Sequence, residues 1–384
     1  MNICLVSTGH DARDDRLYFK QAKSLAKEHQ VTLIAPSRAG SSRPQDDDVT
    51  FVRLDIKPGK VSRLLRAAWL ALTLPRAHYD VIHLSDIETM PFALLFRWRC
   101  KAKIALDIWE ANYERILGPR KRPSIIRRAL AHAVRTAERI VAARCDLVMT
   151  ADIAIAESLG PSIKPLVVFN YPLLSVLTCD KLEIDQMEKR YKGRTCLIYH
   201  GSMAEERGVL SAIEAMRYVR RAFPEAKLLL VGTFANELLR RVNSLVELHD
   251  LRDDVDLVGW VDHSQIGKYL AVSKVGLVPF ARTRKFEKNI PQKIFEYWAM
   301  ALPVVATDLS PIAPYVERCQ GGILIKTNDA QTLAGAVCKL MDRPDRARQM
   351  GLRGRFMVQS EWRWERVEGS FLAAFRALEK TLDG

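Results

Sequence analysis

The chain has 384 residues, more than one hydrophobic core usually serves, so two domains are expected. Apolar residues make up 48% and charged residues 27%, which excludes a disordered or fibrous chain. The net charge of +14 attracts nucleic acid, anionic lipid or anionic small molecules, and the distribution of basic residues has to separate these.

The N-terminus, Met1-Asn2-Ile3-Cys4-Leu5-Val6-Ser7, runs directly into a strand-like segment without the features of a secretory signal, so the chain is expected to stay in the cytoplasm. No apolar run reaches the roughly 18 to 20 residues of a spanning helix; the stretches around Trp69 and from Phe92 to Phe96 are short and flanked by Arg. Strands are read at 3–7, 31–35, 50–54, 81–84, 103–107, 147–150 and 166–169, mostly separated by segments of helical period. The segment from Leu173 to Arg194 interrupts the alternation, which restarts with strands at 196–200, 228–231, 255–258, 275–278, 304–306 and 322–325. This rhythm predicts an α/β chain of two tandem Rossmann-like, doubly wound domains: 1–172, a linker at 173–194, and 195–360. The segment 361–384 reads as a closing helix with Val367, Phe371, Phe375 and Leu378 on one buried face, the N-terminal domain being one candidate partner. Ligands of such sheets bind beyond the carboxyl ends of the strands, so the site is expected in a cleft that the two domains face.

Seven cysteines are scattered singly, with no CxxC pair, so neither a zinc site nor a disulfide framework is expected. No GxGxxG follows the first strand and no GxxxxGK[ST] is present, which removes the dehydrogenase and P-loop fingerprints. Asp254-Val255-Asp256 spells a metal-binding triplet, but it leads into a strand rather than ending one and is read as accidental. Basic residues concentrate between Arg115 and Arg144, including Arg120, Lys121 and Arg122, without a recognition module or interleaved aromatics, so no nucleic-acid partner is expected. Together with Lys60, Arg63, Arg66 and Arg76 around Val61, Leu64, Leu65 and Trp69, they suggest instead a cationic, amphipathic surface for an anionic membrane leaflet. Solvated helix faces explain the same pattern.

The most informative stretch is Asn289-Ile290-Pro291-Gln292-Lys293-Ile294-Phe295-Glu296-Tyr297-Trp298-Ala299-Met300-Ala301-Leu302-Pro303-Val304-Val305-Ala306. Pro291 suits the first turn of a helix that ends at Leu302-Pro303, and a helix start offers free N–H groups to a phosphate. Glu296 follows about a turn and a half later, where a carboxylate can accept hydrogen bonds from both hydroxyls of a ribose. A surface ion pair between Lys293 and Glu296 is the structural alternative. Here the chain resembles the retaining GT-B glycosyltransferases of family 4, which carry a P-x-K-x-x-E-Y/A-x-A-x-G-x-P-V-V pattern. The resemblance recurs at Asp80-Val81-Ile82-His83, Asp146-Leu147-Val148-Met149-Thr150, Asn170-Tyr171-Pro172, Gly201-Ser202, Arg207-Gly208, Leu230-Val231-Gly232 and Val258-Gly259-Trp260-Val261, and so covers essentially the whole chain.

The resemblance implies transfer of a sugar from a nucleoside-diphosphate sugar to a glycan or lipid-linked acceptor, with retention and without metal or other cofactor, in surface polysaccharide or glycoconjugate synthesis. It places the acceptor on the N-terminal domain and the donor on the C-terminal one, at the inner face of the membrane if the protein is peripheral. Glu296 takes the ribose-binding place, and Arg207 the diphosphate, with Lys293, Asn289, Ile290, Gly201, Ser202 and Gly9 as further donor-binding candidates. The first glutamate of the family's pair falls on Lys288, with Glu287 beside it, so both are catalytic candidates together with His83. His10, Asp86, Asp107 and Glu110 are acceptor-side candidates; Trp109 stands where the family usually has His. Two alternatives stay open: a sugar-nucleotide 2-epimerase of the same fold, and a sugar-nucleotide-binding protein without turnover.

Overall fold

The computed structural model describes residues 1–37, 48–55, 59–75, 78–118 and 124–382. Arg76, Arg120, Lys121 and Arg122, part of the basic surface expected above, lie outside the described residues. Two compact units account for the chain: Met1–Asn170 with Trp364–Gly384, and Tyr171–Arg363.

In the first unit, seven parallel strands form one sheet: β1 (Asn2–Val6), β2 (Gln30–Ala35), β3 (Val49–Arg53), β4 (Val81–Leu84), β5 (Lys103–Ile108), β6 (Leu147–Thr150) and β7 (Leu166–Val167). Their order is β3-β2-β1-β4-β5-β6-β7, so the winding reverses between β1 and β4. In the second unit, β8 (Thr195–His200), β9 (Ala226–Val231), β10 (Val255–Gly259), β11 (Ser273–Val278), β12 (Val304–Thr307) and β13 (Gly322–Ile325) are ordered β10-β9-β8-β11-β12-β13, reversing between β8 and β11. Each expected strand is present. Parallel strands covered by helices on both faces read as continuous apolar runs, which is why they were visible. Within the first sheet, Cys4, Val6, Ile82, Leu84, Ile104 and Leu106 point into one helical layer. The intervening Ile3, Leu5, His83, Ala105 and Asp107 point to the other side, following the two-residue period of a strand.

One boundary differs from the sequence reading. The expected linker carries a turn, Leu174–Leu177, and the helix Lys181–Arg190, started by a reciprocal capping box between Asp180 and Glu183. That segment belongs to the second unit: the Tyr191 hydroxyl donates to Asp256 Oδ2 at 2.6 Å and Arg190 Nη2 to the same oxygen at 3.0 Å. Charged residues facing water on this short helix had disguised it as a connector. The closing helix, Trp364–Lys380, belongs to the first unit. Phe371 and Phe375 are fully buried, Trp364 Nε1 donates to Ser24 Oγ at 3.0 Å, and Glu379 Oε1 accepts from the Met1 amino group at 3.3 Å.

Candidate active site

In an open parallel sheet, the carboxyl ends of the strands flanking the reversal point leave a crevice into which loops carry their polar groups. In the second unit those ends are His200 on β8, continuing as Gly201-Ser202, and Val278 on β11, continuing as Pro279-Phe280. Gly208 stands with φ at 75°, and a Cβ there would lie 1.8 Å from the Pro279 carbonyl oxygen, so only glycine lets the helix Val209–Ala222 begin this close to β11.

Lys293 and Glu296 sit on the helix Lys293–Ala299, whose residues are all buried. The helix begins later than expected, capped by Gln292, so Pro291 precedes the cap, its carbonyl accepting from Ile294 N. It ends earlier than expected, at Ala299, because Ala301 adopts φ 57° and Leu302 N returns to Tyr297 O in a Schellman-type closure.

The Lys293 ammonium lies 3.6 Å above the Tyr199 ring and has no hydrogen-bond partner. Burial holds its pKa well below the usual lysine value, the Arg207 charge adds to this, and Glu296 opposes it. Arg207 stacks beside Phe280 and Phe286, 5.7 and 5.9 Å from their ring centres. Glu205, the acid that could have neutralised it, is taken by Arg241. Among the described residues neither Lys293 nor Arg207 pairs with a carboxylate, so an anion arriving here would restore the proton that burial takes from Lys293 and meet the Arg207 charge.

Glu296 is 2% exposed. Gln292 Nε2 donates to its Oε1 at 2.8 Å, His263 Nε2 lies 3.2 Å from the same oxygen, and His200 Nε2 lies 3.2 Å from Oε2. Burial, with the charges of Lys293 and His263, pushes the His200 pKa well below its ordinary value, so His200 is neutral. The ion pair between Lys293 and Glu296 that the sequence allowed does not form. Neither histidine was singled out from the sequence, although both stand just past the carboxyl ends of strands, His200 on β8 and His263 after β10, where ligand-facing residues belong.

Other donor-side candidates are placed less directly. Gly201, at φ 101°, lies beside the Lys293 ammonium, and a Cβ there would be 3.6 Å from Nζ. Ser202 is exposed, its carbonyl accepting from the Tyr199 hydroxyl at 3.3 Å. Asn289 and Ile290 are half-buried in the segment leading to the helix. The Glu287 carboxylate accepts from Ser310 N and Oγ at 3.2 and 2.7 Å and pairs with Arg282, while Lys288 is half-buried beside it. Burial alone would raise the Glu287 pKa, but those Ser310 and Arg282 partners hold it below the usual carboxylate value. Glu287 therefore fastens two loops together. The Asp254-Val255-Asp256 triplet is likewise structural: Asp254 pairs with Arg194 and Arg220, and Asp256 with Arg190 and Tyr191.

In the first unit, the carboxyl ends of β1 and β4 meet at Asp86. Its Oδ2 accepts from Ser7 Oγ at 2.8 Å and from the amides of Thr8 and Gly9, fixing the loop after β1, and Oδ1 lies 3.4 Å from His10 Nε2. The Gly9 amide is thereby engaged within the loop instead of facing outward as a donor-binding N–H. Burial lowers the pKa of His10, but the hydrogen bond and charge of Asp14, with Asp86 and Glu110, more than offset this and raise it to about 9. A polar cavity of about 160 Å³ opens here, lined among others by His10, Arg63, Asp86, Trp109, Arg115 and Glu138. Glu138 is buried and its carboxyl is pushed upward by that burial, with an Asn112 hydrogen bond at 2.7 Å pulling the other way.

Asp107 is a scaffold and not an open acceptor group. It is 1% exposed and accepts from Arg16 through two oxygens at 2.9 and 2.8 Å, from Gln21 at 2.6 Å and from the Trp109 indole at 2.6 Å. Trp109 is wedged between Arg16 and the His10 ring, whose centre is 4.0 Å away. Glu110 faces Arg115 at 3.3 Å. His83 does not reach the cavity. It shares the Asp107 face of the sheet but pairs with Ala105, two residues short of Asp107, and is fully buried, its ring stacked near Phe375 and both nitrogens unpartnered. Burial lowers its pKa to about 4, so it stays neutral.

Comparison with known proteins identifies the family. Residues 20–162 match the family described as "Glycosyl transferase 4-like domain", and residues 194–343 match "Glycosyl transferases group 1". The chain belongs to the group 1, GT4-like glycosyltransferases.

Among its relatives in this family, a GDP-mannose-dependent monoacylated alpha-(1-6)-phosphatidylinositol monomannoside mannosyltransferase of Corynebacterium glutamicum is 30% identical over 167 residues, 42% of each chain. The amylovoran biosynthesis glycosyltransferase AmsK of Erwinia amylovora is 29% identical over 139 residues, 36% of this chain and 34% of AmsK. These matches thus span less than half of the relatives' length. A sucrose-phosphate synthase from Thermosynechococcus elongatus shares the fold at a TM-score of 0.79 and 18% identity, over 99% of both chains. Against the family pattern quoted above, this glycosyltransferase carries Ala301 at the glycine position and Lys288 at the first acidic one.

Proposed function

We propose that the protein transfers a glycosyl group from a nucleoside-diphosphate sugar, bound by the second unit, to a glycan or lipid-linked acceptor bound by the first. Transfer proceeds with retention and without a metal ion, in surface polysaccharide or glycolipid synthesis on the cytoplasmic side of the membrane. The observation that carries this reading is the buried, unpartnered Lys293 ammonium one helical turn from the buried Glu296 carboxylate, with Arg207 nearby. A nucleoside diphosphate supplies the two complements: phosphate oxygens for the cations and ribose hydroxyls for the carboxylate. In transfer, the anomeric carbon–oxygen bond breaks with its electron pair on the β-phosphate, and Lys293 and Arg207 stabilise the charge that develops there. The acceptor oxygen forms the new bond and its proton passes to the departing phosphate.

Calorimetric titration of UDP, GDP, ADP and CMP sugars, followed by a turnover assay with glycan and lipid-linked acceptors, tests the reading. One donor binds the wild type. Glu296→Gln and Lys293→Gln each weaken it at least about tenfold, the weight of one charge-assisted hydrogen bond. Unchanged affinity in both variants overturns the proposal. The fastening of Glu287 to Ser310 and Arg282 favours a second reading, a donor-binding protein without turnover, which tight binding with no released nucleoside diphosphate would support. Formation of a new sugar nucleotide without acceptor would identify a 2-epimerase.

We further propose that the first unit docks on an anionic membrane surface. The helix Lys60–Thr73 buries Ala67, Leu70 and Ala71 and turns Val61, Leu64, Leu65, Trp69 and Leu72 to solvent. It packs against the helix Ala93–Cys100, where Trp98 is 73% exposed, and Ile125 and Ile126 open the helix Ile125–Ala142 at 84% and 81% exposure. Arg66, Arg99, Arg127 and Arg128 are interspersed, the composition of an interfacial face attracted to anionic lipid.

A further inference from the structure

Lys293 is 6% exposed, and among the described residues its Nζ has neither a hydrogen-bond partner nor an ion pair. Groups face it from each element around it. The Tyr199 ring of β8 lies at 3.6 Å and the Phe280 ring, after β11, at 5.3 Å. Arg207 comes from the turn Glu205–Arg207, and Glu296 follows one turn later on the same helix. Burial pushes the Tyr199 hydroxyl up, so it keeps its proton, and His200 at the end of β8 is neutral. Arg207 and Glu296 are therefore the charges that act on Nζ.

A buried ammonium gives up its water, and its three N–H donors then need acceptors. The face of Tyr199 offsets only part of that loss. The Arg207 charge works against a second cation beside it, while Glu296 works in favour of one without touching Nζ. Loss of water is the largest of these effects, and it leaves the Nζ proton held far more loosely than that of an ordinary lysine. A diphosphate reverses the balance: its oxygens supply both the missing acceptors and negative charge, and each favours the ammonium.

We infer that Lys293 is a conditional cation: an amine in the empty site that takes a proton from the buffer as the donor's diphosphate binds, so that donor and proton enter together. This rests on the reading that Lys293 meets the donor's phosphates. The proton adds to the Nζ lone pair, and no other bond changes. The complex then holds one proton more than the empty protein, so raising the pH favours the empty protein. Affinity falls about tenfold per pH unit in the window above the point at which Nζ loses its proton in the empty site and below the point at which it does so in the complex. The same device selects among ligands, because one that lacks the diphosphate charge leaves Nζ an amine and gains no ion pair from it.

Calorimetry with the UDP, GDP or ADP sugar that binds the wild type counts the protons taken up, by comparing binding heats in buffers of low and high ionisation enthalpy. The diphosphate of a sugar nucleotide is fully ionised near neutral pH and has no proton of its own to exchange. Wild type should take up close to one proton in mildly alkaline buffer, with affinity falling about tenfold per pH unit there. Lys293→Gln should bind with no uptake and a flat pH profile, weaker than wild type near neutrality, the gap closing as the pH rises. Lys293→Arg, whose charge is permanent, should also bind without uptake. Wild type that takes up no proton across the series overturns the inference. Uptake that persists in Lys293→Gln also overturns it, by placing the proton on another group such as His200 or His263. Both results leave the donor assignment standing when Lys293→Gln or Glu296→Gln weakens binding. Unchanged affinity in both variants overturns that assignment and the inference with it.

Discussion

Ala301 carries a backbone conformation that its side chain opposes. At φ 57° it closes the helix that bears Lys293 and Glu296, at the position occupied by glycine in the family pattern. A left-handed Ala is strained by roughly 1–2 kcal/mol, and glycine's larger unfolded-state entropy returns about half of that. Ala301→Gly should therefore stabilise the second unit by about 0.5–1 kcal/mol, read as a higher urea midpoint with an unchanged slope; a loss of stability would show that the Cβ packs usefully. In the first unit, His10 makes a pH-dependent contribution. Its folded pKa of about 9 lies above the ordinary histidine value, so the proton is bound more tightly in the folded state. The stabilisation is complete below about pH 6.5 and disappears as pH rises through about 9. Thermal melts of His10→Asn should lie furthest below wild type under mildly acidic conditions and converge with it in alkali. A constant difference across that window would mean that packing against Trp109, and not the proton, is what His10 provides.

Among elements, the closing helix shows how a remote segment completes a sheet. Phe375 covers His83, and Phe371 and Trp364 extend the same seam toward Ser24. Truncating a fully buried Phe to Ala typically costs about 3–5 kcal/mol, so Phe375→Ala should lower the unfolding midpoint of the first unit while leaving that of the second in place. Coincident loss of both transitions would show that the units unfold as one. Element identity was readable because buried parallel strands are unbroken apolar runs, and the 367, 371, 375, 378 spacing of the closing helix marks one face. The site was readable only in part. Lys293, Glu296 and Arg207 stand in a recognisable local pattern and do converge in the second unit. His83 was misplaced because its position near the end of β4 does not show that Phe375, from a helix nearly 300 residues away in sequence, buries it. His200 and His263 escaped because a single histidine has no period, and the carboxylate that draws them together is 96 and 33 residues away in sequence.

Across the whole molecule, the excess of positive charge divides between internal pairing and an open surface. Arg97, Arg115, Arg135 and Arg16 each meet a carboxylate of the first unit and so contribute structure and little field. Outside such pairs, Arg66 lies 4.9 Å from the ring of the exposed Trp69, and Trp98 is exposed on the neighbouring helix. No helix among the described residues is long and apolar enough to cross a membrane, and the attachment proposed above is to the membrane surface. Such binding has two separable parts: basic residues contribute about 1 kcal/mol each near an anionic surface and are screened by salt, whereas buried apolar area is insensitive to salt. Co-sedimentation should therefore show the protein with phosphatidylglycerol-containing vesicles and not with phosphatidylcholine alone, and binding should fall as salt is raised. Trp69→Ser combined with Trp98→Ser should weaken the residual high-salt binding while preserving the thermal transition. Arg127→Gln with Arg128→Gln should reduce the salt-sensitive part. Equal partition onto neutral and anionic vesicles would leave the arginines without a role, and no binding to either would assign the whole face to contact with another protein or with water.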